Sequence, residues 1–303
     1  MMASIPKIRG KRELYEPFPR GEMNMPTKLL TLGYSPCPND TFIFHALSQG
    51  RIDTSPYRFD VTLEDVDALN RKARVGALDV SKVSANAVSR ILDHYWLLRS
   101  GGALGRGCGP LVVARQKLSP EQLRAGRMAI PGRLTTAYLL LRLNGMHEGP
   151  VLEMPFDRIM PAVAAGEAEA GRIIHEGRFT YGSHGLTAVL DLGEWWEART
   201  GLPLPLGVIA IKRSLGAQTA GDVESIIRQS LLHARSNPDE ARPYICEHAQ
   251  EMEPSVIERH IETFVNDFSI SMGKEGEESV RYLLRESCRI EGIPFPSRPI
   301  FWE

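Results

Sequence analysis

Apolar residues along this 303-residue chain fall into two patterns. Short apolar runs at 29–33 (LLTLG), 111–114 (LVVA), 127–130 (RMAI) and 207–212 (GVIAIK) are bounded by glycine, proline or polar clusters, which predicts buried strands. Longer stretches repeat apolar residues every three or four positions. Val66, Leu69 and Ala73 make one such face, and nearly all of 221–292 reads as a series of helices. Between these lie two β-helix-β units. In the first, a strand at 59–62 leads to a helix ending at Gly76 and a second strand at 78–83. The second is a weak echo ninety residues later, in which Gly166, Glu169 and Arg172 align with Gly76, Asp79 and Lys82. One copy delivers Lys82 and Ser84 at its strand end, the other His175 and Glu176. Two similar lobes facing a shared cleft would produce this pattern, and the strand runs at 111–114 and 207–212 would carry the chain between them. The expected division is 28–114 plus 208–303 for lobe one and 115–207 for lobe two.

The stretch SPCPNDTF, 35–42, follows the first strand directly. Pro36 and Pro38 cannot extend a strand, and Asn39, Asp40 and Thr41 are all residues that favour a helix start. A helix beginning at the carboxyl end of a strand aims unpaired N–H groups into the crevice beside the sheet. Asn39 is the candidate binding residue there. Cys37 reads as a small packed residue of the turn, the alternative being a nucleophile whose base lies elsewhere in the sequence. A second such start comes after Pro131 and Gly132, where Thr135 or Thr136 opens a helix. The five glycines between 101 and 109 do not form a phosphate loop. No Gly-Lys-Ser/Thr follows, and Pro110 stands where a helix would be needed. They predict a turn lining a cleft or feeding a crossover.

Composition narrows the function classes. The formal charge of −1 gives no excess of positive charge for nucleic acid or an anionic membrane. Cys37, Cys108, Cys246 and Cys288 form no C-x-x-C pair, which fits a reducing compartment and no zinc site. No apolar run nears the roughly 20 residues of a membrane span, and the first 27 residues lack the apolar core of a secretory signal. A cytoplasmic protein with a loose, solvated N-terminal extension over 1–27 is expected, with Met23 or Met25 as possible internal starts.

Several longer words carry a family resemblance: GYSPCPNDTFIFHAL, LRSGGALGRGCGPLVVAR, PGRLTTAYLLL, DRIMPAVAAGEAEAGRIIHEGRFTY and FVNDFSISMGKEGEESV. With these, the chain from about Leu29 to its C-terminus resembles the 1,4-dihydroxy-6-naphthoate synthases of the futalosine route to menaquinone. The resemblance implies an α/β fold of two lobes, like a type II periplasmic binding protein, with two crossing strands as hinge. It implies a carbon–carbon lyase that opens cyclic dehypoxanthinyl futalosine to 1,4-dihydroxy-6-naphthoate and dihydroxyacetone, with no metal or organic cofactor. The family's base falls on His175, and its substrate contacts fall on Lys82, Val83, Ser84, Thr136 and Ala137, with Thr135 beside them. A neutral histidine suits proton removal near pH 7.

Read without the family, His175 ends an apolar strand and is either a cleft base or a satisfied structural histidine. Pairing it with His184 on a metal fails on spacing and on the lack of a third ligand. Glu176 either orients the imidazole or lies exposed in a loop. Lys82 is either the counter-ion of a substrate carboxylate or a lysine snorkelling at the cleft edge. The expected partner is a small carboxylated substrate; oligomeric state is left open. Two rival readings share the fold, a non-catalytic solute-binding protein and a chorismate dehydratase of the same pathway.

Overall fold

The computed structural model describes residues 27–249 and 253–303, so the N-terminal extension lies outside the described residues except for Thr27. Among these residues ten strands form two five-stranded sheets. They are β1 (Lys28–Tyr34), β2 (Tyr57–Leu63), β3 (Val80–Ser84), β4 (Tyr95–Gly105), β5 (Leu111–Ala114), β6 (Met128–Ile130), β7 (Val151–Glu153), β8 (Ala170–Ile173), β9 (Thr187–Asp191) and β10 (Leu204–Lys212). The helices are α1 (Pro38–Ser48), α2 (Val66–Arg74), α3 (Pro120–Ala125), α4 (Thr136–Asn144), α5 (Phe156–Ala165), α6 (Gly177–Thr180), α7 (Leu192–Thr200), α8 (Ala217–Ser236), α9 (Pro238–His248), α10 (Pro254–Phe264), α11 (Asp267–Ile270) and α12 (Gly273–Glu291). No helix among the described residues is long and apolar enough to cross a membrane.

The sheets are built alike. Lobe one orders its strands β2-β1-β3-β10-β4 and lobe two β7-β6-β8-β5-β9. In each, three parallel strands are followed by an antiparallel one that arrives from the other lobe. The echo in the sequence marks this symmetry, because α2–β3 and α5–β8 occupy equivalent places. So do α1 after β1 and α4 after β6, whose N-termini both line the cavity between the lobes.

Three local readings are corrected. First, β5 does not close lobe one; it pairs with β8 and β9. Its period of two explains why, since Val112 and Ala114 enter one core of lobe two while Leu111 and Val113 enter the other. The chain therefore crosses over at 106–110, and its return strand starts at Leu204. Second, glycines 101, 102 and 105 belong to the long strand β4 rather than to a turn. Gly101 has φ +79°, and a Cβ there would stand 2.9 Å from both Ile209 and Ile227, so only glycine lets β4 lie against β10 and α8. Third, α1 starts earlier than Asn39 to Thr41 suggest. Cys37 is its N-cap, with no side-chain cap bond, and Pro38 takes the first helical position. The fixed φ of proline sets the start, which leaves Asn39 and Asp40 in the first turn with their side chains free for other partners.

Sheet one is covered on both faces. Leu30, Leu32, Phe44, Ile209 and Ile227 pack on one side, and Val83, Leu97, Val208 and Leu284 on the other. Ten consecutive residues of α1, Pro38 to Leu47, are buried, because α8, α9 and α10 close over it. Polar groups on its first turn are thus held inside the protein and must find partners there.

Candidate active site

A cavity of about 80 Å³ lies between the lobes. Ser35, Asn39, Lys82, Ser84 and Phe264 line it from lobe one, and Thr135, Thr136, Ala137, Ile174, His175 and Arg178 from lobe two. The crossover adds Cys108, Gly109 and Pro110. Seven of the eight candidate site residues therefore meet in one place. Val83 does not line it: its side chain is fully buried in the core beneath sheet one, since alternation along β3 turns it away from Lys82 and Ser84.

Lys82 is neither snorkelling nor exposed. Its Nζ donates to Asp40 Oδ1 at 2.7 Å and to the Gly101 carbonyl at 3.0 Å, with the residue 3 % exposed. Asp40 Oδ1 also accepts from Asn39 Nδ2, and Oδ2 from the Ser35 amide and hydroxyl. An ammonium has three protons, so one N–H of Lys82 remains for the cavity. Ser84 accepts from Asn70 Nδ2 while its own amide donates to Asn70 Oδ1; its hydroxyl proton is left to donate. Arg178 donates to the Gly109 carbonyl and to Asp191. That crossover is tight enough that a Cβ on Gly109 would fall 2.2 Å from Gly193.

Cys37 is a buried thiol whose pKa is pushed well above its ordinary value by burial and by the negative charge of Glu176. Cys108 is pushed up to about 12, again chiefly by burial. Both stay protonated at neutral pH, which is the packed-residue reading of Cys37.

His175 follows β8 with φ +56°, the one non-glycine residue at positive φ among the described residues. Such a conformation costs on the order of 1–3 kcal/mol for a non-glycine residue and tends to persist where function requires it. Phe156 meets the imidazole edge-on at 5.2 Å, and among the described residues none hydrogen-bonds its ring. Burial lowers its pKa, against the opposing charges of Glu176 and Asp40 and with help from Lys82. The ring is therefore neutral at pH 7 and has a nitrogen lone pair to offer.

Glu176 does not orient His175. Its carboxylate lies 3.7 Å from Nδ1 of His260, on α10 of the other lobe, and neither of those two atoms has a hydrogen-bond partner. His260 is fully buried and donates through Nε2 to Asn39 Oδ1 at 2.9 Å. The donor assignment follows from Asn39, whose Nδ2 is already turned to Asp40. A hydrogen-bonded chain thus runs from His260 through Asn39 and Asp40 to Lys82. Burial and the neighbouring His175 hold His260 well below the ordinary histidine pKa.

Sequence reasoning missed His260, Arg172 and Arg178. His260 had a signal, since Ile257, His260, Ile261 and Phe264 form the apolar stripe of α10 and a histidine there must be buried. Arg172 had one too, being a charge inside a short strand buried on both faces. Arg178 stands in a polar loop word and carried none.

The hydroxyl of Thr136 is engaged across the cleft. It donates to the Leu206 carbonyl at 2.7 Å and accepts from the Asn86 amide of lobe one at 3.2 Å. Asn86 also reaches the carbonyls of Arg133 and Thr135. The lobes are closed on one another. No group of three or more His, Cys, Asp or Glu among the described residues is arranged to hold a metal ion.

Residues 30–288 match the family described as "Menaquinone biosynthesis". A 1,4-dihydroxy-6-naphthoate synthase of Thermus thermophilus is 52 % identical over 273 residues, 90 % of this chain and 98 % of the relative. The enzyme of the same name from Streptomyces coelicolor is 46 % identical over 274 residues, covering 89 % and 96 %. Among solved structures, a protein of Archaeoglobus fulgidus superposes with TM-score 0.82 at 37 % identity, over 87 % of this chain and 98 % of that one. The ligand-binding component of an ABC-type import system from Staphylococcus aureus gives 0.67 at 12 %, over 91 % and 97 %. That last likeness is one of fold, the two-lobed architecture of binding proteins. By sequence over most of its length, and with a cleft that gathers the residues expected of it, this chain belongs to the menaquinone biosynthesis family.

Proposed function

We propose that the chain converts cyclic dehypoxanthinyl futalosine to 1,4-dihydroxy-6-naphthoate and dihydroxyacetone, the reaction of the enzymes it resembles, with His175 as general base. The observation that carries this reading is the state of His175: neutral, held at positive φ, facing the cavity, and free of hydrogen bonds from the described residues. A base must have its lone pair available within reach of the substrate proton. Taking that proton makes an imidazolium beside Glu176, whose negative charge stabilises it. Closure keeps bulk water from the same space, so that these charges act at full strength. Ser84 and Lys82 each keep one proton to donate, suited to oxygens of the polyhydroxylated part of the substrate.

The test is direct. Purified protein incubated with the cyclic futalosine derivative should form naphthoate, followed by absorbance, and His175→Asn should lose about 10²–10⁴-fold in turnover while still binding substrate. Near-normal turnover by the variant would remove His175 from the role. Turnover of chorismate instead would assign the sister activity, and release of the compound unchanged would make the protein a solute binder.

A further inference from the structure

A histidine base is ordinarily aimed by a hydrogen-bond partner on its second nitrogen. Among the described residues His175 has no such partner, and two rings flank it instead. Phe156, at the start of α5 in lobe two, meets it edge-on at 5.2 Å. His260, on α10 in lobe one, lies within 9° of parallel to it, with the centroids 6.1 Å apart. Behind His260 stands Phe264, its ring 4.7 Å away and tilted by 52°. Phe156, His175, His260 and Phe264 thus form one row of rings that crosses the cleft. Spacings of this size are those of favourable aromatic pairs, which prefer offset and edge-on contact.

The row is anchored at His260. That side chain has no exposed surface and does not line the cavity, so it reaches neither substrate nor reacting atoms. Its Nε2 donates to Asn39 Oδ1 at 2.9 Å, and Asn39 is fixed in turn by its own Nδ2, which donates to Asp40 at 2.8 Å. The hydrogen bond sets the rotation of the His260 ring while Phe264 packs against it. A phenylalanine at this position would supply the ring but leave Asn39 Oδ1 unpaired in the interior. The same seam carries a second contact between the lobes, Arg259 over the Phe179 ring at 4.7 Å. Two successive residues of α10 therefore meet the 175–179 segment.

We infer that His260 is a positioning residue for the base: its ring, fixed through Asn39 to the first turn of α1, holds the His175 imidazole with a nitrogen aimed into the cavity. This rests on the reading of His175 as general base. The positive φ of His175 sets where its Cβ points, and the row of rings sets the remaining side-chain rotation. His260 and His175 belong to different lobes, so parting the lobes would remove the support. The aim of the base is thereby tied to closure. Geometry of this kind matters to rate, since a misplacement of about 1 Å can cost on the order of 10²-fold.

Variants that separate the ring from the hydrogen bond test the inference. Each is assayed for turnover of the cyclic futalosine derivative and for binding of 2-naphthoate, which carries the ring system and carboxylate of the product. His260→Gln keeps a donor for Asn39 and removes the ring. Its kcat should fall by about tenfold or more, with KM and the affinity for 2-naphthoate little changed. His260→Phe keeps the ring and removes the donor, so it should retain most of kcat while losing stability to urea. A merely structural histidine would cost stability in both variants and leave kcat of the folded protein at the wild-type value. That result overturns the inference, as does a His260→Phe protein that loses as much kcat as His260→Gln. If neither variant folds, Phe156→Leu decides, because it breaks the row from the lobe-two side at a partly exposed residue; an unchanged kcat there overturns the inference. His175→Asn in the same series keeps the two readings apart. Normal turnover by that variant removes the base itself, whereas an inactive His175→Asn beside a fully active His260→Gln removes only the positioning role.

Discussion

His175 and His260 lie ring over ring, their centroids 6.1 Å apart and their planes 9° from parallel, although one belongs to lobe two and the other to lobe one. The stack spans the cleft, so parting the lobes would break it. Two imidazoles this close and this sheltered from water are not both positively charged at neutral pH, and each ring has its pKa lowered. Glu176 stands by both: it favours the protonated form of His175, and its carboxylate faces the bare nitrogen of His260. Closure therefore sets the base, its neutral neighbour and one carboxylate in a single buried group.

This arrangement fixes the direction of the pH profile. The base must be deprotonated to act, so kcat/KM should rise with pH along an acid limb lying below the ordinary histidine value of about 6.5. Glu176 raises the pKa of His175. Glu176→Gln should then move the limb to still lower pH while lowering kcat, since the imidazolium loses its stabilising charge. A limb above 6.5, or an upward shift in the variant, would contradict the electrostatic account.

Stability should follow the same histidines. In the unfolded chain His260 titrates near 6.5, and in the fold its pKa lies well below that. Between the two values the unfolded state binds the extra proton, so stability is intact above about pH 6.5 and is lost as pH falls toward the folded value. Urea midpoints from pH 7.5 to 5 should fall for the wild type and fall less steeply for His260→Gln. Parallel slopes in the two proteins would mean that His260 is not held neutral.

The ion pair of Lys82 and Asp40 is almost wholly buried, and Asp40 accepts four hydrogen bonds. Removing one partner strands the other charge inside the protein, at a cost of about 3–5 kcal/mol. Lys82→Met and Asp40→Asn should each destabilise by that order in chemical denaturation, whereas the double variant should recover part of the loss. Additive losses in the double variant would show that the two side chains do not depend on one another.

Much of this was legible in the sequence where one element carried the signal. The prolines of SPCPNDTF announced a turn and a helix start, and the repeat of Gly76-to-Lys82 by Gly166-to-Arg172 announced the twin sheets. What stayed hidden depends on partners far apart in the chain. Asp40 and Lys82 are 42 residues apart, and Asn39 and His260 are 221 apart; no local pattern states that such groups will meet. The alignment even set Arg172 opposite Lys82, yet it could not say that one cation would find an acid and the other would not. Strand β4 was missed for a local reason, since its glycines suit close packing against Ile209 and Ile227 while weakening every sequence mark of a strand.

Asn86 on lobe one and Thr136 on lobe two form a clasp, in which the Asn86 amide donates to the Thr136 hydroxyl and that hydroxyl donates to Leu206. Because the hydroxyl's single proton goes to Leu206, it has none left to donate to a substrate oxygen, and Thr136→Val should act by loosening closure rather than by deleting a donor to substrate. Each neutral hydrogen bond lost contributes about 0.5–1.5 kcal/mol, enough to shift a two-state balance several-fold. Small-angle scattering should therefore show a larger radius of gyration for Thr136→Val than for the wild type without ligand. Saturating 2-naphthoate should bring the two radii together, because ligand bound between the lobes favours the closed form. Main-chain donors at Thr136 and Ala137 survive the substitution, so the variant's affinity should fall only by the free energy of the lost clasp. Equal radii without ligand would show that closure does not depend on this bond. A variant that lost affinity by far more than the clasp is worth would show that the hydroxyl turns to the substrate after all.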